Sequence, residues 1–213
     1  MRPTILAFDL EGVLVPEVWI AVAEKTGIDG LRLTTRDVAD YDELMRHRLR
    51  LLDTHGLRLP DIQDVIATMA PLPRACDYVD SLRERPGVEL VILSDTYYEF
   101  AAPLMRKLGW PTLFCNSLVV SDDGRISDYR LRQTDGKRKA VQAFHSLAFQ
   151  VVAAGDSYND TAMLGEADAG ILFRPSETVR AEFPQFPVAL DYSELDECIL
   201  ESLSRLDAAD GRG

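Results

Sequence analysis

Ile5-Leu6-Ala7-Phe8-Asp9-Leu10-Glu11-Gly12-Val13-Leu14-Val15 opens the chain with an apolar run that breaks on two carboxylates and a glycine. A short apolar run bounded by an acidic turn reads as a buried strand over 5–10. Residues two apart in an extended segment share a face, so Asp9 and Glu11 project together, and Gly12 permits the turn that follows. The same design recurs at Gln150-Val151-Val152-Ala153-Ala154-Gly155-Asp156, which runs on into Ser157-Tyr158-Asn159-Asp160. Singly, the first segment is as readily an ordinary strand-end turn, and Asp156, Ser157 and Asn159 are ordinary helix N-caps. If the two strands are neighbours, Asp9, Glu11, Asp156 and Asp160 converge. Four clustered carboxylates raise one another's pKa. A hard cation with oxygen ligands removes that conflict, and Mg²⁺ suits a site of few carboxylates plus a phosphate.

Further apolar runs at 88–95, 111–116 and 169–173, with a weaker one at 188–191, read as strands, most of them followed by helix-period segments. That alternation predicts a doubly wound, mostly parallel, Rossmann-like α/β sheet with helices on both faces. Residues 117–131 differ: two alternating runs flank Asp122-Asp123-Gly124 and predict a β-hairpin. Between the first two strands lie helical patterns near 17–26, 36–55 and 60–70, broken by Gly27, Gly56 and Pro60. A simple crossover needs only one helix. The excess predicts a small helical cap over 16–73, standing on a core domain made of 1–15 and 74–207, above the strand ends where open α/β sheets bind ligands.

The 213 residues, 46% of them AVILMFWYC, suffice for one packed core and exclude wholesale disorder. With 35 acidic against 23 basic residues the net charge is −12, which repels nucleic acid and means that any anionic substrate must meet a local cationic site. Cys76, Cys115 and Cys198 are odd in number and widely spaced, with neither a disulfide framework nor a zinc pattern. No run approaches the roughly 18 apolar residues of a membrane span, and the first apolar run is too short for a signal peptide. The expectation is a cytoplasmic protein with no membrane or nucleic-acid partner.

Two cations are placed oddly. Lys137 precedes the stripe Ala140, Val141, Phe144, Leu147 and Ala148 by three and four residues, so it shares the apolar face. It also begins its helix, where the macrodipole disfavours cations; an anion held there explains both, while a solvated turn accounts better for Arg138 and Lys139. Arg48 lies on the face of Tyr41, Leu44, Met45, Leu49 and Leu52, suited to a bidentate carboxylate contact, or else snorkelling at the stripe's edge. Glu17, after Pro16, opens the first inserted helix, either for the dipole or to grip an ammonium group. Ser94 closes the run 88–93 as a hydroxyl for a phosphoryl oxygen, or simply as a cap. His47, His55 and His145 have no ligand spacing, and neither a P-loop nor G-x-G-x-x-G is present.

Taken in order, Asp9-x-Glu11-Gly-Val, Ser94, Lys137 and Gly-Asp156-Ser-x-Asn-Asp160 resemble the four motifs of the haloacid dehalogenase superfamily. The surrounding LEGVLVPE, YDELMRHRLRLL and VILSDTYYEF resemble its phosphoserine phosphatase branch, and most of all the bacterial members that also transfer phosphate to homoserine. The resemblance implies Asp9 as a nucleophile that becomes an aspartyl-phosphate, and Glu11 as general acid/base. It implies Mg²⁺ on Asp9, the Glu11 backbone carbonyl and Asp156, supported by Asp160. Ser94 and Lys137 would hold phosphoryl oxygens, with Asp95 and Asn159 in the same substrate-binding set. Arg48 would take the carboxylate of phosphoserine and Glu17 its amine. Glu11 departs from the Asp usual in these phosphatases, which makes homoserine a candidate acceptor beside water. A phosphatase for another small phosphate ester is the rival reading. A phospho-acceptor receiver domain is the distant one, opposed by the helical insertion.

Overall fold

The computed structural model describes residues 2–34, 37–38 and 40–210. Its centre is a seven-stranded sheet ordered β4-β3-β2-β1-β5-β6-β7, with β1 Thr4–Phe8, β2 Val88–Tyr97, β3 Thr112–Val120, β4 Ile126–Arg130, β5 Gln150–Gly155, β6 Ala169–Phe173 and β7 Val188–Ala189. All pairings are parallel except β3 with β4. The strand alternation sorts the core into two layers. Leu6, Phe8, Val152 and Ala154 pack into one layer, while Ile5, Ala7, Val151 and Ala153 pack into the other. Burial on both faces explains why these runs are apolar throughout rather than alternating.

Helices α1 Val18–Thr26, α2 Tyr41–Thr54 and α3 Leu59–Thr68 fill the long connection between β1 and α4 Ala75–Arg83. The rest are α5 Tyr98–Lys107, α6 Gly136–Ser146, α7 Thr161–Glu166, α8 Glu177–Glu182 and α9 Tyr192–Asp210. None of the described helices is long and apolar enough to cross a membrane.

Four boundaries differ from the sequence reading. The expected helix over 36–55 begins only at Tyr41, where the Asp40 side chain accepts from the Glu43 amide 3.0 Å away and caps it; Thr35, Arg36 and Ala39 lie outside the described residues. Pro60 does not interrupt a helix but lies in the first turn of α3, where its missing N–H costs nothing. The run at 111–116 and the first arm of the hairpin form one strand, β3, which pairs in parallel with β2 and then antiparallel with β4. Finally, α6 ends at Ser146, and Leu147 is 67% exposed rather than part of the buried stripe.

Candidate active site

The strand order places β1 between β2 and β5. The segments carrying Asp9, Ser94 and Asp156 therefore leave the sheet side by side at its carboxyl edge. Chain direction diverges on either side of β1, which is where open α/β sheets form a crevice. Asp9 is anchored there by its own N–H, which donates to the Ala154 carbonyl at 3.0 Å, and its Oδ1 accepts from the Leu10 amide at 2.7 Å.

Lys137, on the first turn of α6, reaches into this crevice. Its Nζ lies 2.6 Å from Asp160 Oδ1, 3.0 Å from Asp9 Oδ1 and 3.6 Å from Asp95 Oδ2. Burial pulls the ammonium pKa down, but Asp160, Asp9 and Asp95 outweigh it and hold the group well above the ordinary lysine value. Asp160 is fully buried and committed: its other oxygen accepts from the amides of Asp156 and Ser157 at 3.0 and 3.1 Å. The same bond to Ser157 closes a capping box at the start of the turn 158–160.

Carboxylate oxygens of Asp9, Asp156 and Asp160 all lie within 4.8 Å of one another. Burial and crowding raise the proton affinity of Asp9 and Asp156. Burial first, opposed by Lys137 and reinforced by Asp160, Asp156 and Asp95, lifts Asp9 well above the usual carboxylate range. Burial, then Asp160 and Glu17, push Asp156 up to about 7. Two glycines make the crowding feasible. A Cβ on Gly12, whose φ is +79°, would stand 2.5 Å from Asp156 Cγ, and one on Gly155 would stand 2.4 Å from Asp160 Cβ.

Asp9, Glu11, Glu17, Arg48, Ser94, Asp95, Lys137, Asp156 and Asn159 share a cavity of about 390 Å³ between the sheet and the inserted helices. Glu11 arrives by a different route from the extended-strand expectation. The strand ends at Phe8, the chain turns at Gly12, and Glu11 pairs through a backbone bridge with Val15 while its Oε2 accepts from the Val18 amide at 3.0 Å. Glu17 stands at the N-cap position of α1 with no capping bond from its side chain. Burial against protein and the proximity of Glu11, to which it is hydrogen-bonded, raise it to about 7, although its side chain still meets cavity solvent.

Arg48 is 7% exposed. Its Nη2 donates to the Leu33 carbonyl at 2.7 Å, its Nη1 lies 3.7 Å from Met45 Sδ, and its buried Nε has no partner among the described residues. Desolvation lowers its pKa. Asn159 Nδ2 donates to Asp95 Oδ2 at 3.0 Å, and Ser94 Oγ accepts from the Thr96 amide at 3.3 Å. A larger neighbouring cavity, about 750 Å³, shares Ser94, Asp95, Lys137 and Asn159 but not Asp9, Glu11 or Asp156, so the carboxylates of Asp9, Glu11 and Asp156 face the smaller one.

Residues 3–168 match the family model for haloacid dehalogenase-like hydrolases. The chain belongs to the haloacid dehalogenase-like hydrolase family. It is 60% identical to "Phosphoserine phosphatase ThrH" of Pseudomonas aeruginosa, over 94% of this chain and 97% of that one. A "Phosphoserine phosphatase" of Pseudomonas syringae pv. tomato is 58% identical over 94% of this chain and 84% of that one. Among solved structures, "Phospho-Aspartyl Intermediate Analogue of Phosphoserine phosphatase" superposes with a TM-score of 0.72 at 19% identity, covering 88% of this chain and 93% of that one, a likeness of fold.

In this haloacid dehalogenase-like hydrolase every site residue named from the sequence lies on the one cavity except Asp160, which lies beneath it. Sequence reading missed further wall and support residues, Trp19, Tyr41 and Asn116 among them. Trp19 reads as core on the apolar face of α1, and Tyr41 reads as core on α2, yet both line the cavity. Asn116 holds the Asp95 carbonyl through Nδ2 at 2.9 Å. Only the tertiary arrangement distinguishes these from ordinary packing residues.

Proposed function

We propose that this protein is a Mg²⁺-dependent phosphoserine phosphatase that works through an aspartyl-phosphate on Asp9 and also passes the phosphoryl group to homoserine. The observation that carries the reading is the pairing, across one small cavity, of the Asp9–Lys137–Asp156–Asp160 cluster with a Glu17 carboxyl and an inward Arg48 that has no carboxylate ion pair among the described residues. The two high-identity relatives named for phosphoserine support the substrate. In this reading residues 16–73 are a cap over a core of 1–15 and 74–207.

The donor set fits a hard cation: three converging carboxylates, all oxygen, with the proton affinity of Asp9 and Asp156 raised. Asp9, Asp156 and the Glu11 backbone carbonyl would hold Mg²⁺ with Asp160 behind them, and the ion would supply positive charge against the phosphoryl oxygens.

Arg48 takes the substrate carboxylate and Glu17, ionised by its partner, takes the ammonium group. Lys137 and Ser94 hold phosphoryl oxygens, and Asp95 and Asn159 brace that wall. An oxygen of Asp9 forms a bond to phosphorus as the bond to the serine oxygen breaks, and Glu11 gives that oxygen its proton. A water then attacks phosphorus, Glu11 takes the water's proton, and the bond to Asp9 breaks to release phosphate. Homoserine carries the same carboxylate and amine with its hydroxyl one methylene further out, so Arg48 and Glu17 can hold it where the water attacks. Water is about 55 M, and effective molarities of oriented groups exceed that by orders of magnitude.

The test is phosphate release from a panel of phosphorylated amino acids and sugars, with and without Mg²⁺, then phosphoserine with homoserine followed by phosphorus NMR. The reading expects Mg²⁺-dependent preference for phosphoserine and a signal from O-phosphohomoserine. Equal turnover of sugar phosphates contradicts the substrate, and free phosphate alone at saturating homoserine contradicts the transfer.

A further inference from the structure

Trp19 lies in the first turn of α1, two residues after Glu17, 8% exposed and on the cavity wall. The Arg48 guanidinium sits over its ring, with Cζ 4.7 Å from the centroid. The ring is itself held: Phe100, fully buried on α5, meets it edge-on at 5.3 Å and 73°, and Phe100 is in turn braced by Tyr97 at 5.7 Å and 87°. Among the described residues the other polar contacts of Arg48 are the Leu33 carbonyl and the Met45 sulfur, Nε has no hydrogen-bond partner, and no carboxylate forms an ion pair with the group.

A buried guanidinium of this kind has too few partners to fix its plane. The carbonyl fixes one nitrogen. The sulfur at 3.7 Å is a weak acceptor. The aromatic face is what remains to set the orientation of the planar fork, and attraction of a desolvated cation to the ring's negative face is stronger than at an exposed site.

We propose that Trp19 is a specificity-determining positioning residue: by stacking on Arg48 it aims the guanidinium fork at the carboxylate of the substrate. Glu17 and Trp19 then let the start of one helix govern both the amine and the carboxylate of an α-amino acid ester. This inference rests on the reading of Arg48 as the carboxylate receptor.

The experiment compares phosphoserine with phosphoethanolamine, which keeps the amine and phosphate and lacks the carboxylate. Trp19→Leu should raise KM for phosphoserine about tenfold, in line with the loss of a desolvated cation–π contact, with kcat nearly unchanged and phosphoethanolamine kinetics unaffected. Trp19→Phe should recover part of the loss. Because Trp19→Leu removes buried volume, a second series leaves the shape alone. Progressively fluorinated tryptophan, in a Trp110→Phe background so that position 19 is the only site, weakens the ring's negative face in steps. KM for phosphoserine should climb with fluorination while phosphoethanolamine stays flat. A flat response for both substrates, or equal loss on both, makes Trp19 a packing residue and overturns the proposal. Arg48→Ala is measured alongside: if it fails to discriminate the two substrates, the carboxylate reading of Arg48 is what has failed, whereas discrimination by Arg48→Ala without a Trp19 effect refutes Trp19 alone.

Discussion

At the scale of single residues the site is a problem of charge crowding solved by one lysine. Lys137 is held among three carboxylates, two of which, Asp9 and Asp160, are buried with it. Removing one partner of such a group leaves buried charge unbalanced, a change that typically costs about 3–5 kcal/mol. Lys137→Met should therefore lower the denaturant midpoint as well as abolish turnover, whereas Asp9→Asn, which keeps shape and removes the proposed nucleophile, should abolish turnover with an unchanged or higher midpoint. Gly12 gives a sharper test of geometry. Ala there must adopt a left-handed φ, at about 1–2 kcal/mol, with its Cβ driven into Asp156. Gly12→Ala should weaken Mg²⁺ binding, read by isothermal titration calorimetry, more than Gly27→Ala, where the φ is similarly positive at +72° but no atom lies within 4 Å.

At the scale of elements the β3–β4 hairpin has a role the sequence did not display. It grips the inserted helices along its length: Tyr129 donates to Asp42 at 2.6 Å, Arg46 pairs with Asp128 at 2.8 Å, Arg125 clasps Asp53 through two bonds of 2.6 and 3.0 Å, and Arg58 meets Asp123 at 3.3 Å. The Leu59 amide donates to the Gly124 carbonyl at 2.8 Å, joining the start of α3 to the hairpin turn. Tyr129 also packs edge-on against Tyr41 and Tyr97 at 5.9 and 6.2 Å, beside the cavity. Alternation and an Asp-Asp-Gly turn were enough to identify the hairpin, since those signals are local. Its partners were not legible, because an Arg or Asp on a solvated face looks the same whether or not another element lies opposite. The ion pairs are exposed and therefore screened by salt. Raising ionic strength should raise KM for phosphoserine more in the parent than in the Asp53→Asn/Arg125→Gln double variant, whose clasp is already open; an identical salt response in both would show that the hairpin does not hold the helices in place.

At the scale of the whole molecule, the parallel sheet was legible because strands buried on both faces must be short, apolar and separated by helices. The convergence of Asp9 and Asp156 was legible only conditionally; it required β1 and β5 to be neighbours, which pairing in register from Thr4 with Gln150 to Phe8 with Ala154 supplies. Trp19 and Asn116 were not legible, since an aromatic on an apolar helix face and an amide near a strand end carry no mark of what they touch. The carboxylate cluster also links metal, pH and stability. Asp156 and Glu17 have folded pKa values of about 7, above their unfolded values near 4. Groups shifted in this direction stabilise the fold fully below the unfolded pKa and lose that contribution as pH rises through the folded one. In chelator, Tm should therefore fall between about pH 4 and 7, and saturating Mg²⁺ should flatten the slope by replacing the protons. A metal-free Tm that rises across that window contradicts the crowding.

The central claim is that Asp9 carries the phosphoryl group between donor and acceptor. The most direct measurement is to mix enzyme, Mg²⁺ and phosphoserine, quench in acid within a single turnover, reduce any acyl phosphate with borohydride and locate the reduced side chain by peptide mass spectrometry. The account predicts conversion of Asp9, and of no other carboxylate, to the corresponding alcohol, dependent on phosphoserine and absent from Asp9→Asn. An unmodified Asp9 in enzyme that is turning over, or reduction at Asp156 or Asp160 instead, would contradict it.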